Sequence, residues 1–505
     1  MNEAYPKIGQ LKSVTQLQSR LNDLGLELPI DKQILTQATG SPLAAGLDVD
    51  GFKIGNRWCI HPMEGWDANR DGSPSELTMR RWSHFGQSGA KWIWGGEACA
   101  VQPSGRANPN QSMATPENAA GLAALRLTLV DSHKEQFSSS DDLFIGLQLT
   151  HSGRFCRPNS KALEPRIAYH NPLLDEKFGI SPDDDSTVWS DSEIEQLIDD
   201  FVAAAGVAEQ AGYHFVDIKS CHGYLLHEFL SARTREGKFG GDLEGRTKLL
   251  RTIVGRVRNE FPNLKVVVRL SIFDTPPFMT SREVGQPMDF QSLLPYQHGF
   301  GLDPLNPMEV DFTEPFQLIE TLVDLGVVAI NISCGSPYYN PHVQRPAIFP
   351  PSDGYQPPED PLVGVVRQIQ AARACKLRFP NVAMVGTGYS YLQDFLPHVA
   401  QAVIRDGWID SVGLGRMVLS YPDMPADTLS NGTTRRKSIC RTFSDCTTAP
   451  RNGLISGCFP LDPHYKAMPA AGQLKRLKSE GKEEKRRQDE QDEQDRQDRQ
   501  DQEVE

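Results

Sequence analysis

The chain has 505 residues, of which 39% are hydrophobic, so it can bury a large core in one or two domains. Its formal net charge of −13 argues against nucleic acid or an anionic membrane as a partner. The nine cysteines follow no regular spacing, which fits reduced thiols better than a disulfide framework. No stretch reaches the roughly eighteen apolar residues of a membrane span, and the first residues lack the apolar core of a signal peptide. We therefore expect a soluble, cytoplasmic protein.

Strand-like and helix-like segments alternate along most of the chain. After the weakly patterned residues 1–50, apolar runs predict eight strands. The predicted strands cover residues 52–60, 91–94, 143–149, 215–219, 265–270, 327–332, 382–385 and 410–412. The predicted helices between them cover residues 75–87, 116–134, 190–211, 245–261, 315–325, 362–374 and 391–404. Irregular excursions are expected at 155–189 and 273–311.

This alternation predicts a parallel sheet with helical crossovers. Eight units favour an α/β fold, a closed (β/α)8 TIM barrel over residues 51–430. No G-x-G-x-x-G follows a strand, so a dinucleotide-binding sheet lacks its phosphate turn. The barrel would carry an N-terminal extension at 1–50 and a cysteine-containing C-terminal extension at 431–471. Residues 472–505 are charged and low in complexity, which predicts a solvated tail, either disordered or a frayed helix; binding of a protein partner by this tail is the less favoured alternative.

Three proton-sharing side chains, Lys219, His222 and Tyr224, follow the fourth predicted strand. Period-two alternation places Phe215, Asp217 and Lys219 on one side of that strand. Polar groups at the carboxyl ends of barrel strands commonly form an active site. The alternative, a strand with incidental polar residues, is disfavoured because buried polar groups without partners are costly. These three side chains are therefore the candidate catalytic residues.

Two glycine-containing turns follow the seventh and eighth predicted strands. Gly386 and Gly388 end the first of these strands, and Gly413, Gly415 and Arg416 end the second. Glycines let the backbone approach an anion closely, and arginine adds a bidentate charge. In many barrels a phosphate binds at the loops after strands seven and eight. The two turns together favour a phosphate site over two ordinary strand-to-helix turns.

The runs HGYLLHEFLS at 222–231 and GGDLEGR at 240–246 resemble the old yellow enzyme family of FMN-dependent reductases. The resemblance covers residues 52–425, weakens over 1–50 and ends by residue 466. It implies FMN as the cofactor, NADH or NADPH as the hydride donor, and a small molecule as the substrate. It leaves a homo-oligomeric assembly open.

The resemblance also implies which residues line the flavin. Pro62 and Met63 would lie along the ring. Ala98 would sit beside its reactive edge, and Gln148 would pair with the pyrimidine amide edge. Arg269 would stand near N1 and O2, where a positive charge stabilises the anion formed on reduction. The alternative for Arg269 is a buried structural salt bridge, since an unpaired buried arginine is costly.

Family members usually carry His-x-x-His or His-x-x-Asn where this chain has Lys219-Ser-Cys-His222. The pair would bind an oxygen of the substrate and polarise its alkene toward hydride. Tyr224 matches the family's proton donor. Lysine differs from imidazole in length and charge, and it opens a second hypothesis, a Schiff base between Lys219 and a carbonyl substrate. That hypothesis ranks lower, because an aldolase needs neither the glycine turns nor Gln148 and Arg269.

Three cysteines, Cys440, Cys446 and Cys458, follow the predicted barrel. The subgroup resembling 2,4-dienoyl-CoA reductase and trimethylamine dehydrogenase holds an iron–sulfur cluster here, with C-x2-C-x3-C-x11-C spacing. This chain keeps the last interval but has Phe443 where the second ligand should be. Because four thiolates are the norm for such a cluster, we predict no intact cluster and no other metal.

Together these observations favour an FMN-dependent NAD(P)H oxidoreductase that reduces activated alkenes such as enones. Hydride would come from flavin N5 and the proton from Tyr224. One alternative is a non-catalytic barrel that binds FMN or a phosphate ligand and acts as an interaction protein. Another is an amine-demethylating flavoenzyme, which the incomplete cysteine pattern weakens.

Overall fold

Eight parallel strands form a closed barrel. The structure is a computed structural model, and it describes residues 5–281 and 284–481 together with residues 483 and 487. The barrel strands are β1 (Trp58–Ile60), β2 (Trp92–Ile93, resuming at Ala98–Ala100), β3 (Phe144–Thr150), β4 (Phe215–Ile218), β5 (Lys265–Ser271), β6 (Ala329–Ser333), β7 (Ala383–Gly386) and β8 (Ser411–Leu414). Each strand pairs with the next, and β8 pairs with β1, so the sheet closes. The predicted (β/α)8 fold is confirmed.

Helices cover the outside of this barrel. They are α1 (Glu76–Gln87), α2 (Ala119–Phe137), α3 (Asp191–Gln210), α4 (Leu243–Glu260), α5 (Thr313–Asp324), α6 (Pro361–Arg378), α7 (Leu396–Arg405) and α8 (Met424–Asn431). Several helix starts follow from local chemistry. Ser75 and Ser190 each form a capping box with the residue three positions on, and Asp242 caps α4. The first and third helices therefore begin where the sequence predicts.

Large aromatic side chains fill the amino-terminal half of the barrel. The rings of Phe144 and Phe215 lie 4.5 Å apart, centroid to centroid, within an apolar cluster of the barrel interior. A hairpin of Leu47–Val49 and Phe52–Ile54 packs against the same cluster. Along β4, the buried position two residues after Phe215 is Asp217, so the interior becomes polar toward the carboxyl ends of the strands.

The predicted strand 52–60 is wrong as a single element. Its first part pairs with residues 47–49 in the hairpin, and only Trp58–Ile60 joins the barrel. Gly51 has φ +83° in the hairpin turn, a conformation that favours glycine. A continuous apolar run does not show where a chain leaves one sheet and enters another.

Two other predicted segments divide in a similar way. The predicted helix 391–404 is a 3-10 helix (Tyr389–Phe395) followed by α7. Gln393 has φ +53° and produces the kink between them. The excursion predicted at 155–189 contains a helix, Pro172–Phe178, that begins with a proline and ends at a left-handed glycine.

Further short segments pack around the barrel. The N-terminal helix Val14–Asp23 buries Leu17 and Leu21. The insertion after β5 contains a small hairpin of Phe278–Met279 and Gln286–Pro287. The other short α-helices are Leu225–Leu230, Pro341–Gln344, Met417–Ser420, Asp445–Arg451 and Pro463–Lys466. The other 3-10 helices are Ile8–Gln10, Pro42–Ala44, Pro103–Gly105, Pro116–Asn118, Gly153–Phe155, Asp185–Thr187 and Gln291–Leu293.

Helical structure continues into the charged C-terminal segment. Residues 469–481 are helical, Leu474 is buried, and Lys478 bonds to Asp445. Ordered structure therefore reaches past the predicted boundary at residue 472, and most of the predicted tail lies outside the described residues. No helix in the described ranges combines the length and the apolarity that a membrane crossing requires.

Candidate active site

A cavity of about 280 Å³ opens at the carboxyl ends of the barrel strands. Its walls include twelve of the residues predicted to bind cofactor or substrate: Pro62, Met63, Ala98, Gln148, Lys219, His222, Tyr224, Arg269, Gly388, Gly413, Gly415 and Arg416. Gly386 instead ends β7, and a Cβ at this position would meet both Ile409 and Tyr389 at 2.8 Å. The closed barrel thus brings residues from distant parts of the chain to one site.

Asp217 is a fully buried carboxylate on β4 that bonds to three neighbours, two of which, Gln148 and Arg269, line the cavity. Its carboxylate accepts from the Trp94 indole at 2.7 Å, the Gln148 amide at 2.6 Å and the Arg269 backbone N–H at 2.6 Å. Burial raises the pKa of Asp217 to about 6, although these hydrogen bonds oppose the shift. Because its Nε2 donates to Asp217, Gln148 retains its Oε1 as an acceptor for a ligand N–H.

Arg269 reaches the cavity from β5 as a buried cation. Its Nη2 lies 3.5 Å from the Thr387 hydroxyl, and its Nε has no partner among the described residues. Within those residues, no carboxylate lies within salt-bridge distance of its guanidinium. Arg269 is therefore not held in the structural salt bridge that was its alternative explanation, and a ligand acceptor would satisfy it.

Glu64, a residue that no sequence motif pointed to, connects two of the candidate catalytic residues. Its carboxylate forms an ion pair with Lys219 and accepts a hydrogen bond from the Tyr224 hydroxyl at 2.6 Å. The side chain of Lys219 is 4% exposed and that of Glu64 is 10% exposed. A signal was available in the sequence, because Glu64 directly follows Met63 in a loop expected to approach the flavin.

Tyr224 also shares a hydrogen bond of 2.9 Å with the hydroxyl of Tyr338. The Tyr338 ring stacks on Phe155 at 4.0 Å. Burial raises the pKa of Tyr338 to about 12, and burial together with the charge of Glu64 raises the pKa of Tyr224 well above its usual value. Both phenols therefore stay protonated at neutral pH. Tyr338 lies in an irregular loop, where no periodic pattern in the sequence singles it out.

His222 follows β4 with a left-handed backbone, at φ +67°. Its N–H donates to the Ser271 hydroxyl at 3.1 Å, and its Nε2 lies 2.8 Å from the Ser333 hydroxyl. Burial, followed by the charges of Arg269 and Lys219, holds the pKa of His222 well below 6.5. The imidazole is therefore neutral near pH 7, and its Nε2 has partners different from those of Lys219.

The turns after β7 and β8 form the other end of the cavity. Gly388 has φ +94°, and a Cβ on Gly415 would have no atom within 4 Å. Arg416 donates to the Pro346 carbonyl at 3.4 Å, and its Nη1 is buried without a partner among the described residues. An open glycine turn beside an uncompensated guanidinium fits a phosphate group.

Three buried nitrogen atoms in the cavity wall test whether FMN fits. The Nε2 of His61, the Nε of Arg269 and the Nη1 of Arg416 have no partner among the described residues. Buried polar atoms are rarely left unpaired in proteins. A ligand rich in acceptors, with a planar ring at one end and a phosphate at the other, would give these three nitrogen atoms hydrogen-bond partners. The residues present therefore fit FMN.

The cysteines of the C-terminal extension lie next to this cavity. Cys446 and Cys458 line its wall, and burial raises the pKa of Cys440 and of Cys458. Across the described residues, no three His, Cys, Asp or Glu side chains are arranged to share a metal ion. The absence of an iron–sulfur cluster remains a prediction from the spacing of the cysteines.

Fold and site together define a class of protein: a (β/α)8 barrel with a small-molecule site at the carboxyl ends of its strands, the position where enzymes of this fold carry their active sites. Residues 43–290 match the model of the NADH:flavin oxidoreductase / NADH oxidase family. This match confirms the resemblance seen in the sequence. The match includes β1 to β5 and ends before the two glycine turns.

Two curated relatives align with just under half of the chain. An NADH:flavin oxidoreductase of Gibberella zeae is 29% identical over 258 residues, covering 47% of this chain and 59% of the relative. An NADPH dehydrogenase of Bacillus subtilis is 29% identical over 237 residues, covering 45% of this chain and 63% of the relative. In both alignments the chain spans less than two thirds of the relative's length.

Solved structures share the fold at low sequence identity. A 2-naphthoyl-CoA reductase in complex with 2-naphthoyl-CoA has a TM-score of 0.61 at 16% identity, covering 84% of this chain and 57% of that chain. An old yellow enzyme homologue from Zymomonas mobilis has a TM-score of 0.53 at 20% identity, covering 79% of this chain and 99% of that chain. These likenesses concern the barrel architecture.

Proposed function

We propose that this protein is an FMN-dependent NAD(P)H oxidoreductase that reduces activated alkenes such as enones. One observation carries the proposal: a single cavity joins the Tyr224 phenol and the Lys219 ammonium, both bonded to Glu64, with Arg269 and Arg416, each of which has a buried nitrogen without a partner among the described residues. A proton donor, an oxygen-binding cation and a flavin-binding wall are the parts that alkene reduction requires. The match to the NADH:flavin oxidoreductase / NADH oxidase family supports the same chemistry.

FMN would be held by residues from both halves of the barrel. Pro62, Met63 and Ala98 would contact the ring, and the Oε1 of Gln148 would accept from its pyrimidine N–H. Arg269 would supply positive charge near N1 and O2. The phosphate would bind at Gly388, Gly413, Gly415 and Arg416. When bound, FMN would accept hydride from NADH or NADPH and deliver hydride to the alkene.

Lys219 would bind the electron-withdrawing oxygen of the substrate. An ammonium group has three N–H donors, and the Glu64 carboxylate occupies only part of this capacity. A fixed positive charge in a buried site stabilises the negative charge that develops on the substrate oxygen. His222, neutral and oriented by Ser333, would act as the second and weaker donor.

Tyr224 would give its proton to the substrate α-carbon. Its phenol is protonated throughout the neutral range, and Glu64 at 2.6 Å holds the oxygen in place. Tyr338, at 2.9 Å, would return a proton to Tyr224 after the transfer. Glu64 is then a positioning residue, because it acts on the substrate through Lys219 and Tyr224.

The ion pair between Lys219 and Glu64 weighs against the Schiff-base hypothesis. Only a neutral amine attacks a carbonyl, whereas Lys219 is buried against a carboxylate. Treatment with borohydride and a carbonyl substrate gives a direct check. A covalent adduct on Lys219 would favour the aldolase-like alternative.

Reconstitution with FMN tests the proposed function. We expect the purified protein to bind FMN, to bleach with NADH or NADPH under nitrogen, and to regain its colour when 2-cyclohexenone is added. If a nicotinamide bleaches the flavin but neither enones nor nitro compounds restore it, the proposed substrate class is wrong. A protein that stays colourless after FMN is added back contradicts the proposal as a whole.

His222 should contribute no limb near pH 6.5, the ordinary pKa of histidine, to the pH dependence of enone turnover. Because the pKa of His222 is held well below that value, the ring gains no proton as the pH falls through 6.5. Initial rates between about pH 5.5 and pH 8.5 would measure this. His222→Asn, which keeps a neutral donor, should give a profile of the same shape. A wild-type limb near 6.5 that disappears in H222N would show that His222 titrates in this range.

A further inference from the structure

Three arginines meet where the barrel faces the C-terminal extension. Arg345 follows β6, Arg416 follows β8 and Arg451 ends the helix Asp445–Arg451, and all three line the cavity. Burial, followed by the charge of Arg416 and then that of Arg451, lowers the pKa of Arg345 to about 9. Three like charges brought together in a partly buried site are costly unless an anion is present.

The described protein groups do not compensate these charges. Each guanidinium has one buried nitrogen without a partner: Nη2 of Arg345, Nη1 of Arg416 and Nε of Arg451. Among the described residues, Asp353 is the carboxylate that pairs with this cluster, through Arg451. Arg345 donates to the Thr447 hydroxyl, which carries no charge. Two positive charges therefore remain. Their number is close to the number of negative charges that a phosphate monoester carries near pH 7.

We propose that Arg345 and Arg416 together bind the phosphate of FMN, and that the C-terminal extension closes over that phosphate. This inference rests on the proposed function and extends it, because Arg345 lies outside the two glycine turns. It also assigns a task to the C-terminal extension.

The extension is tied to the loop that carries Arg345. The Thr447 hydroxyl accepts from Arg345, and the Ser444 hydroxyl donates to the Phe349 carbonyl at 2.6 Å. Arg451 donates to the Pro337 carbonyl at 3.2 Å. A ligand that neutralises Arg345 removes repulsion from this junction, so phosphate binding and ordering of the extension should be coupled.

Cofactor selectivity tests the role of Arg345. Quenching of flavin fluorescence would give the affinities of the full-length apoprotein for FMN and for riboflavin, which lacks the phosphate. We expect Arg345→Met to weaken FMN binding about tenfold to a hundredfold, since a charged hydrogen bond contributes about 1.5–3 kcal/mol. Riboflavin affinity should stay within about twofold. The matched control is Arg367→Met, whose arginine is already paired with Glu359 at 2.6 and 2.8 Å; it should bind both flavins as the wild type does.

Protease protection tests the role of the extension. FMN and inorganic phosphate should slow tryptic cleavage within residues 431–471 of the wild type, and riboflavin should not. If the R345M protein does not fold, Arg345→Lys keeps the positive charge but loses the bidentate guanidinium. This variant should lose less FMN affinity than R345M, and the loss should still be specific for FMN.

Several outcomes would overturn the inference. R345M could bind FMN as tightly as the wild type, or lose FMN and riboflavin equally, which would indicate a general structural role. Cleavage of the extension that is indifferent to FMN would remove its closing role. A wild-type protein that binds neither flavin would instead refute the proposed function itself, so the two failures are distinguishable.

Discussion

Tyr224→Phe should slow the return of flavin colour by an enone about 10²-fold to 10⁴-fold, the range of general acid catalysis. Bleaching by NADH or NADPH should change by less than about twofold, because hydride transfer from the nicotinamide needs no proton from Tyr224. The substitution removes one hydroxyl and keeps the ring that lies beneath the Lys219 ammonium at 3.5 Å. Anaerobic stopped-flow absorbance would measure the two half-reactions separately.

Tyr338→Phe is the matched control for this variant. It removes a hydroxyl that bonds to Tyr224 at 2.9 Å, one step further from the substrate. If Tyr338 returns the proton, this variant should lose about tenfold in steady-state turnover while a single turnover stays fast. A Tyr224→Phe protein whose two half-reactions slow equally would show that the phenol has a structural role and that the proton comes from elsewhere.

Glu64→Gln should lower the free energy of unfolding by about 3–5 kcal/mol, because it leaves the buried ammonium of Lys219 without its counter-charge. The pair is well shielded, with 4% exposure for Lys219 and 10% for Glu64. Glutamine keeps the shape of the side chain and can still accept from Tyr224, so the loss reports mainly on the charge. Urea unfolding followed by tryptophan fluorescence would measure it.

A double variant and a surface pair complete this experiment. Glu64→Gln combined with Lys219→Met should recover most of the lost stability, since no buried charge then remains. Glu195→Gln breaks the exposed pair with Lys238, where the two side chains are 56% and 60% exposed, and should cost less than about 1 kcal/mol. If Glu64→Gln is no more destabilising than Glu195→Gln, the Lys219 site is solvated and the proposed oxygen-binding charge is weaker than the geometry indicates.

The repeating strand–helix architecture was largely predictable. Apolar runs and helix caps such as Ser75 and Ser190 depend on neighbours a few residues away, and such local chemistry is written directly in the sequence. The prediction failed at residues 52–60 and 391–404, where a turn at Gly51 and a kink at Gln393 interrupt continuous apolar patterns. Periodicity gives the side on which a residue lies, and it does not give the point where the chain changes direction.

Most residues of the candidate site were predictable, whereas the hydrogen bonds and ion pairs that join them were less so. Residues after strand ends were expected to meet, because every parallel strand of a barrel ends on the same rim. Glu64 was overlooked although it adjoins Met63, since a carboxylate in a loop is usually solvated. Tyr338 gave no signal, because its contact with Tyr224 joins positions 114 residues apart.

What could be inferred from the amino-acid order was the number of strands, the polarity change along β4 and the kinds of side chain available at the rim, because each depends on local spacing. The folded chain was needed to show that Glu64 holds Lys219 across 155 residues and that Arg345 approaches Arg416. Such pairings depend on how the barrel closes and how its long loops fold back over the rim. Contacts of this kind follow from packing in three dimensions, which no repeat in the sequence encodes.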